Sequence, residues 1–393
     1  MGVALAVLLL ALGCRDGGER RAHLVLGTFW VGGGAQALQR ELIRIAHDLG
    51  PVNIEVRSFS ANALLDYLDR SQPAEGRQPL DLAIVPHDWL GQLVQREVVG
   101  ELPSARVLML RQQLVGQALA AVSEGRHVYG YPVSAQVLAL VYDPALFGYP
   151  PRSIDEILTT RFAPGVLPFA LDVGDPLALA PLVGDLQGTL TDPRGNLMWR
   201  PGAVAEVLRR LAPAWGSAAG WRACSGSDLE SLQVQLFAQG KLASFIAGPW
   251  LLQALEDSGR PFAVMPIPPL AAGMAPARAL VGYQCVVVAR GSRWGDLALE
   301  VGARLLQEEA NERINRATRR LPVLLRAYES KQGLAGPGGF GFLRALEQGQ
   351  FVPATEGWSE GLGQAQRQLE GLAGRTRPPA PGDVAVLLSG SPP

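Results

Sequence analysis

Apolar runs with strand character alternate with stretches of helical periodicity through most of this chain, and that alternation limits its fold more than any other feature. "HLVLGTFW" (His23 to Trp30), "NIEVRSFS" (Asn53 to Ser60) and "LDLAIVP" (Leu80 to Pro86) read as strands. Between the first two, Leu38, Leu42, Ile45 and Leu49 recur at spacings of four, three and four, which puts them on one helical face; Gly50-Pro51 stop that helix. Gly32 to Gly34 read as a turn ahead of it, and "NALLDYLDR" as a second helix. Strand, helix, strand, helix, strand is the pattern of a three-layer α/β lobe with a largely parallel sheet.

The same pattern returns after residue 135. "VLALVYDP", "VLPFALD", "LASFIAG", "FAVMPIP" and "QCVVVAR" are strand candidates, interleaved with helical stretches such as "SIDEILTTRF" and "DLESLQVQLFAQG". Ser153 and Glu156 have the spacing of a capping box, a structural device without activity. One helix is expected from about Asp296 to Leu321, ended by Pro322, and Gly336-Pro337-Gly338-Gly339 reads as a crossing between lobes. With 393 residues, 48% of them hydrophobic, the chain can bury the cores of two or three domains.

Charge and ligating residues exclude several classes. The formal net charge is -1 with basic residues dispersed, which leaves no footprint for nucleic acid. His23, His47, His87 and His127 are scattered without metal-ligand spacing, so no metal and no cofactor is expected. At the N-terminus, "VALAVLLLALG" is too short to span a bilayer and runs into Cys14 and a polar stretch, the shape of an export signal. Ala11-Leu12-Gly13-Cys14 resembles a bacterial lipobox, which makes Cys14 the lipidated residue, residues 1–14 the signal and 15–21 a tether; an ordinary cleaved signal or a short anchor are the alternatives. Of the other cysteines, Cys224 and Cys285, the second reads as a buried small hydrophobe.

"FIAGPWLLQAL" (Phe245 to Leu255) ends a strand, turns through Gly248-Pro249 and places Trp250 in the first turn of a helix. Proline suits that position because its missing N–H would have no intrahelical partner. In α/β lobes ligands gather where strands end and helices begin, and an indole there suits the apolar face of a pyranose. Packing under the next loop is the alternative.

Several blocks together resemble a known family. "LDLAIVPHDWLGQLVQREVVGEL", "VYGYPVSAQVLALVYDPALF", "LFAQGKLASFIAGPWLLQAL", the stretch from Pro261 to Pro322 and "GQFVPATEGW" are similar, in order and spacing, to segments of the maltose and maltodextrin-binding branch of extracellular solute-binding proteins that serve ABC importers. The likeness covers residues 24 to 365. It implies a type II periplasmic-binding-protein fold: an N-terminal lobe of 22–134 plus 286–333, a C-terminal lobe of 135–285 plus 334–385, crossings near "PVSAQ", "GYQCV" and "LAGPGG", and a tail at 386–393.

The resemblance also nominates a site. Asp88 matches an acidic position that binds sugar hydroxyls, Gln136 a family glutamate, Asp175 another carboxylate and Trp250 a stacking tryptophan. Trp30, Trp89, Tyr283 and Trp358 complete the expected ligand contacts, each with packing as its alternative; a helix cap is the alternative for Asp88 and a turn for Asp175. Val85, Leu177 and Leu362 stand where that branch carries aromatic sugar platforms, and Gly34 and Ala35 replace a charged pair, so a linear maltodextrin fits less well than a smaller or differently linked saccharide.

The chain is therefore expected to be a binding protein with no catalytic residues, monomeric, held to a membrane by its N-terminal lipid at the periplasm or cell surface, which delivers a mono- or oligosaccharide to an ABC permease by closing its lobes. A secreted glycoside hydrolase using Asp88 and Asp175, or a receptor for a signalling partner, are the competing classes.

Overall fold

In a computed structural model of the chain, residues 21–69, 79–192, 194–216, 226–275, 277–330, 338–352 and 355–373 are described. Cys14 and the N-terminal signal, Cys224, the Gly336-Pro337 part of the expected crossing and the 386–393 tail lie outside them.

The strands form two main sheets. In the first, β1 (Ala22–Thr28) lies parallel between β2 (Val52–Ser58) and β3 (Leu82–Pro86), with Ala22 opposite Val52 and Leu26 opposite Leu82. This part matches the expected alternation. The helix Gly32–Leu49 covers it, burying Leu38, Leu42 and Ile45, but it starts at Gly32, so the glycines read as a turn belong to its first turn.

Beyond β3 the sheet is not parallel. β10 (Leu280–Val288) runs antiparallel to β3 on one side and to β6 (Gly130–Val137) on the other, while β11 (Gln350–Phe351) adds a short parallel pairing. The second sheet is antiparallel throughout: β7 (Ala139–Tyr142) lies between β8 (Ser244–Ala247) and β9 (Ala263–Met265). A ribbon of β4 (Ser123–Glu124) and β5 (His127–Val128) stands apart. The expectation of largely parallel sheets fails because β10 joins β3, and β8 and β9 join β7, only after long returns of the chain, a connectivity that local periodicity does not record.

Only Leu138 separates β6 in the first sheet from β7 in the second, and β10 rejoins the first sheet from Leu280, ahead of the break expected at 285. Two further expectations shift. "VLPFALD" makes isolated parallel bridges, Leu167 to Leu242 just ahead of β8 and Ala170 to Phe245 within it, without forming a regular strand; Pro168 between them has no N–H to donate. The long helix expected before Pro322 is two, Gly295–Leu305 and Glu308–Thr318.

The second of these helices grips the sheet. The β6–β10 register slips between Gln284 and Cys285, where Ser134 and Pro132 are the paired residues and Val133 is passed over. The Val133 carbonyl instead accepts from Asn311 Nδ2 (2.7 Å) and Asn315 Nδ2 (3.2 Å), both buried. A bulge that would leave a buried carbonyl unpaired is thus satisfied by a helix. That same helix then delivers the chain to Arg319, Arg320 and Leu321. Leu321 exchanges backbone hydrogen bonds with Ala135, fixing these arginines beside the crossing.

Candidate ligand-binding site

Trp30 follows β1. Its backbone N–H donates to Thr28 Oγ1 (3.1 Å) and its carbonyl accepts from Ser58 Oγ (2.9 Å), so the turn is pinned to two strands. The indole is 4% exposed and its Nε1 has no partner among the described residues.

Trp250 comes from the other sheet, in the turn after β8. Its six-membered ring lies back across Gly248: a Cβ there would stand 2.1 to 2.4 Å from three ring carbons. The Gly-Pro-Trp sequence therefore has a steric reason, since glycine lets the indole fold over its own backbone. Trp250 is half-buried, and its Nε1 donates to Glu230 Oε1 at 2.9 Å.

Arg320 lies between the two indoles. Its guanidinium carbon is 4.9 Å from the centre of the Trp30 ring and 5.9 Å from that of Trp250, both within cation–π range. Nη1 donates to Gln136 Oε1 at 2.7 Å, an oxygen that also accepts from Gln284 Nε2 at 3.1 Å. Although Arg320 keeps some solvent contact along its length, burial of its head pulls its pKa down to about 10. Trp30, Gln136 and Trp250, three of the residues nominated by sequence, therefore converge on one cation that sequence did not nominate.

A set of carboxylates lies on the Trp250 side. Asp175 caps the helix Pro176–Gln187, its Oδ1 accepting from Leu177 N at 2.8 Å, and Asp172 Oδ1 accepts from Gly174 N at 2.9 Å. Burial, with some push from Asp172 and Glu230, raises Asp175 to about 7 despite the N–H bonds it accepts. Burial also raises Glu230, opposed by its bond from Trp250. Because the folded-state value for Asp175 exceeds its ordinary 3.8, the favourable protonated form is present at low pH and lost as pH rises toward 7. Asp175→Asn keeps the capping oxygen without the charge. In denaturation curves at pH 4 it is expected to match the parent, and at pH 8 to be more stable by about 1–3 kcal/mol.

The remaining nominated residues sit around this centre. Asp88 and Trp89 lie in the turn after β3, both half-buried. The Asp88 carbonyl accepts from Ser359 Oγ, and Trp89 packs on Phe29, the neighbour of Trp30, with ring centres 6.4 Å apart. Tyr283 and Trp358 are buried, at 4% and 1% exposure, and Tyr283 meets His87 edge to face at 5.6 Å. Val85 is a fully buried β3 residue. Arg320, Glu230, Asp172 and His87 were missed. For Arg320 the available signal was the tandem "RRLP" next to an expected helix end. A groove of about 920 Å³ near Arg106 and Glu329 contains none of these residues.

One ion pair joins the two sides. Arg319, in a left-handed backbone conformation (φ 55°), donates through Nη2 to Glu256 Oε2 (2.5 Å) and Gln253 Oε1 (3.0 Å) on the helix following Trp250. Both partners are mostly screened from solvent, at 23% and 25% side-chain exposure. Glu256→Gln is expected to cost about 1 kcal/mol of closure, seen as a larger radius of gyration of the ligand-free protein in X-ray scattering; an unchanged radius would show that the pair does not hold the two sides together.

Residues 46–338 match the family described as bacterial extracellular solute-binding protein. The chain belongs to that family. A maltotriose-binding protein of Pyrococcus abyssi (strain GE5 / Orsay) is 22% identical over 198 residues, 48% of this chain; the match spans only 42% of that relative's length. Among solved structures, the Thermus thermophilus maltotriose binding protein bound with maltotriose superposes with a TM-score of 0.74 at 21% identity, covering 93% of this chain and 98% of that one. The GacH receptor of Streptomyces glaucescens GLA.O, solved unliganded and with acarbose, gives 0.79 at 17% identity, covering 95% and 100%. These likenesses establish the fold, that of type II periplasmic binding proteins, with its two α/β lobes joined by several crossings. Among the described residues no helix is long and apolar enough to cross a membrane.

Proposed function

We propose that this solute-binding protein captures a small saccharide between its lobes and hands it to the permease of an ABC importer. The observation that carries the reading is the pair of tryptophans, one from each sheet, on either side of a single side chain at the crossing. Flat apolar faces flanked by hydrogen-bonding groups suit a sugar ring, whose C–H faces stack and whose edge hydroxyls donate and accept. The saccharides bound by the relatives support the same class. On this reading the chain divides between lobes near residues 138 and 266–279, and solute favours the closed form by its differential affinity for it.

Asp88, Trp89 and Asp175 would form the outer walls, and Tyr283 with Trp358 the packed back of the cleft. Lipidation at Cys14 would hold the monomer at the membrane beside its permease. A glycoside hydrolase finds no support: Asp175 is engaged as a helix cap, and the family is one of binding proteins. The test is a thermal-shift screen of the purified protein against a saccharide library, followed by chromatography of the recovered sugar. A ligand that raises the melting point and returns intact is the expected result. Cleavage of the sugar, or no shift from any saccharide, would overturn the reading.

A further inference from the structure

Arg320 carries a positive charge that no carboxylate of the described residues balances; its hydrogen-bond partner is the neutral amide of Gln136. Taking an ion out of water is expensive, and buried charges are ordinarily paired. Two indole faces offset part of the cost but supply no counter-charge.

The other polar groups here are neutral. Gln136 has its oxygen taken by both Arg320 and Gln284, which leaves it N–H groups to offer. Trp30 Nε1 is buried and donates to nothing among the described residues. The guanidinium thus has two indoles and a neutral amide about it and no carboxylate among the described residues; the unpaired oxygen of the cluster, Gln284 Oε1, is neutral and brings no counter-charge. Carboxylates are found instead beyond Trp250, where Glu230 takes the indole N–H and stands with Asp172 and Asp175.

We propose, resting on the saccharide-binding reading above, that the solute is an acidic sugar whose carboxylate docks on Arg320 between Trp30 and Trp250 while its hydroxyls donate toward Glu230. A uronate presents both halves of this pattern: an anionic acceptor at one end of the ring and hydroxyl donors around the rest. The planar carboxylate matches the planar guanidinium through two parallel bonds. A phosphate dianion fits less well, because one guanidinium balances half its charge and the carboxylates beyond Trp250 repel the remainder.

The experiment is calorimetric titration of the full chain with matched pairs: glucose and glucuronate, galactose and galacturonate, digalactoside and digalacturonate, together with maltotriose and glucose 6-phosphate. An acidic member is expected to bind about 10- to 100-fold more tightly than its neutral counterpart, the worth of a charge-assisted hydrogen bond. Arg320→Gln should weaken the acidic member by about 10- to 100-fold more than its neutral counterpart, so that the ratio disappears; Arg320→Lys should restore part of it. Circular dichroism and the melting point verify that both variants fold.

A neutral member binding as tightly as its acid would overturn the acidic-sugar proposal and leave the saccharide reading standing. Preference for the phosphate would overturn it in the same way. Equal loss of acid and neutral sugars in Arg320→Gln would reduce Arg320 to a link between lobes. Binding of nothing in the panel would overturn both readings.

Discussion

Trp250→Ala is expected to weaken binding of the saccharide found by screening by about 30-fold or more, the scale of a buried tryptophan truncated at the centre of a contact. Gly248→Ala should reproduce much of that loss without touching the indole. A Cβ at 248 would stand 2.1 Å from the ring, far inside contact distance, so the ring must swing away and release Glu230. The backbone there is extended, with φ -95°, so alanine meets no dihedral penalty and the effect comes from the ring alone. Titration of both variants decides the matter: wild-type affinity in Gly248→Ala would remove Trp250 from the floor of the site. Melting points should move little, because the indole is half-buried.

His87→Leu is expected to be the most destabilising single change at the crossing. The imidazole is buried and uses both nitrogens, Nε2 donating to the Val352 carbonyl at 2.9 Å and Nδ1 accepting from Tyr283 N at 3.1 Å. One side chain from the end of β3 thereby joins β10 to the segment after β11. Leucine fills similar space but strands a buried N–H and a buried carbonyl, a cost of about 2–5 kcal/mol, measurable as a lower urea midpoint. The hydrogen bonds also fix the charge state. Nδ1 can accept only in the neutral ring, and burial holds the pKa below its ordinary 6.5. Below pH 6.5 the unfolded chain takes up a proton that the folded chain refuses, so stability falls as pH drops from there toward the folded-state value. The neighbouring Asp88 carboxyl, which burial raises, acts in the opposite sense. Parent and variant both keep Asp88, so a smaller difference between them at acid pH than at pH 8 isolates the imidazole. A constant difference would mean that His87 is not held neutral.

The first α/β unit was legible because its information is local. Leu38, Leu42 and Ile45 declare a helical face, and β1 to β3 pair as their order implies. Strand direction beyond β3 was not legible, because β10 reaches β3 from nearly two hundred residues away in sequence. The site divides similarly. Trp250 could be found from its Gly-Pro turn and from family likeness, whereas Arg320 looked like one of many arginines near a helix end. Its importance comes from Trp30, Gln136 and Trp250 meeting it from three distant parts of the chain, and from the lack of an acid beside it among the described residues. No spacing rule encodes a missing neighbour. Asp175, nominated as a ligand contact with a turn role as its alternative, caps the helix Pro176–Gln187, so the turn role is seen directly.

The passage from β6 to β7 through Leu138 alone has a mechanical corollary. A joint one residue long is close to a fixed axle, and Gln136 with its guanidinium neighbour sits almost on it. Points near an axle hardly travel when the arms swing, whereas points at the rim sweep through the full arc. On the proposed reading, the innermost unit of a bound saccharide would be met by a socket of nearly constant shape, chosen by charge and stacking, while each added unit outward would fall under the moving jaws and strengthen the grip that shuts them.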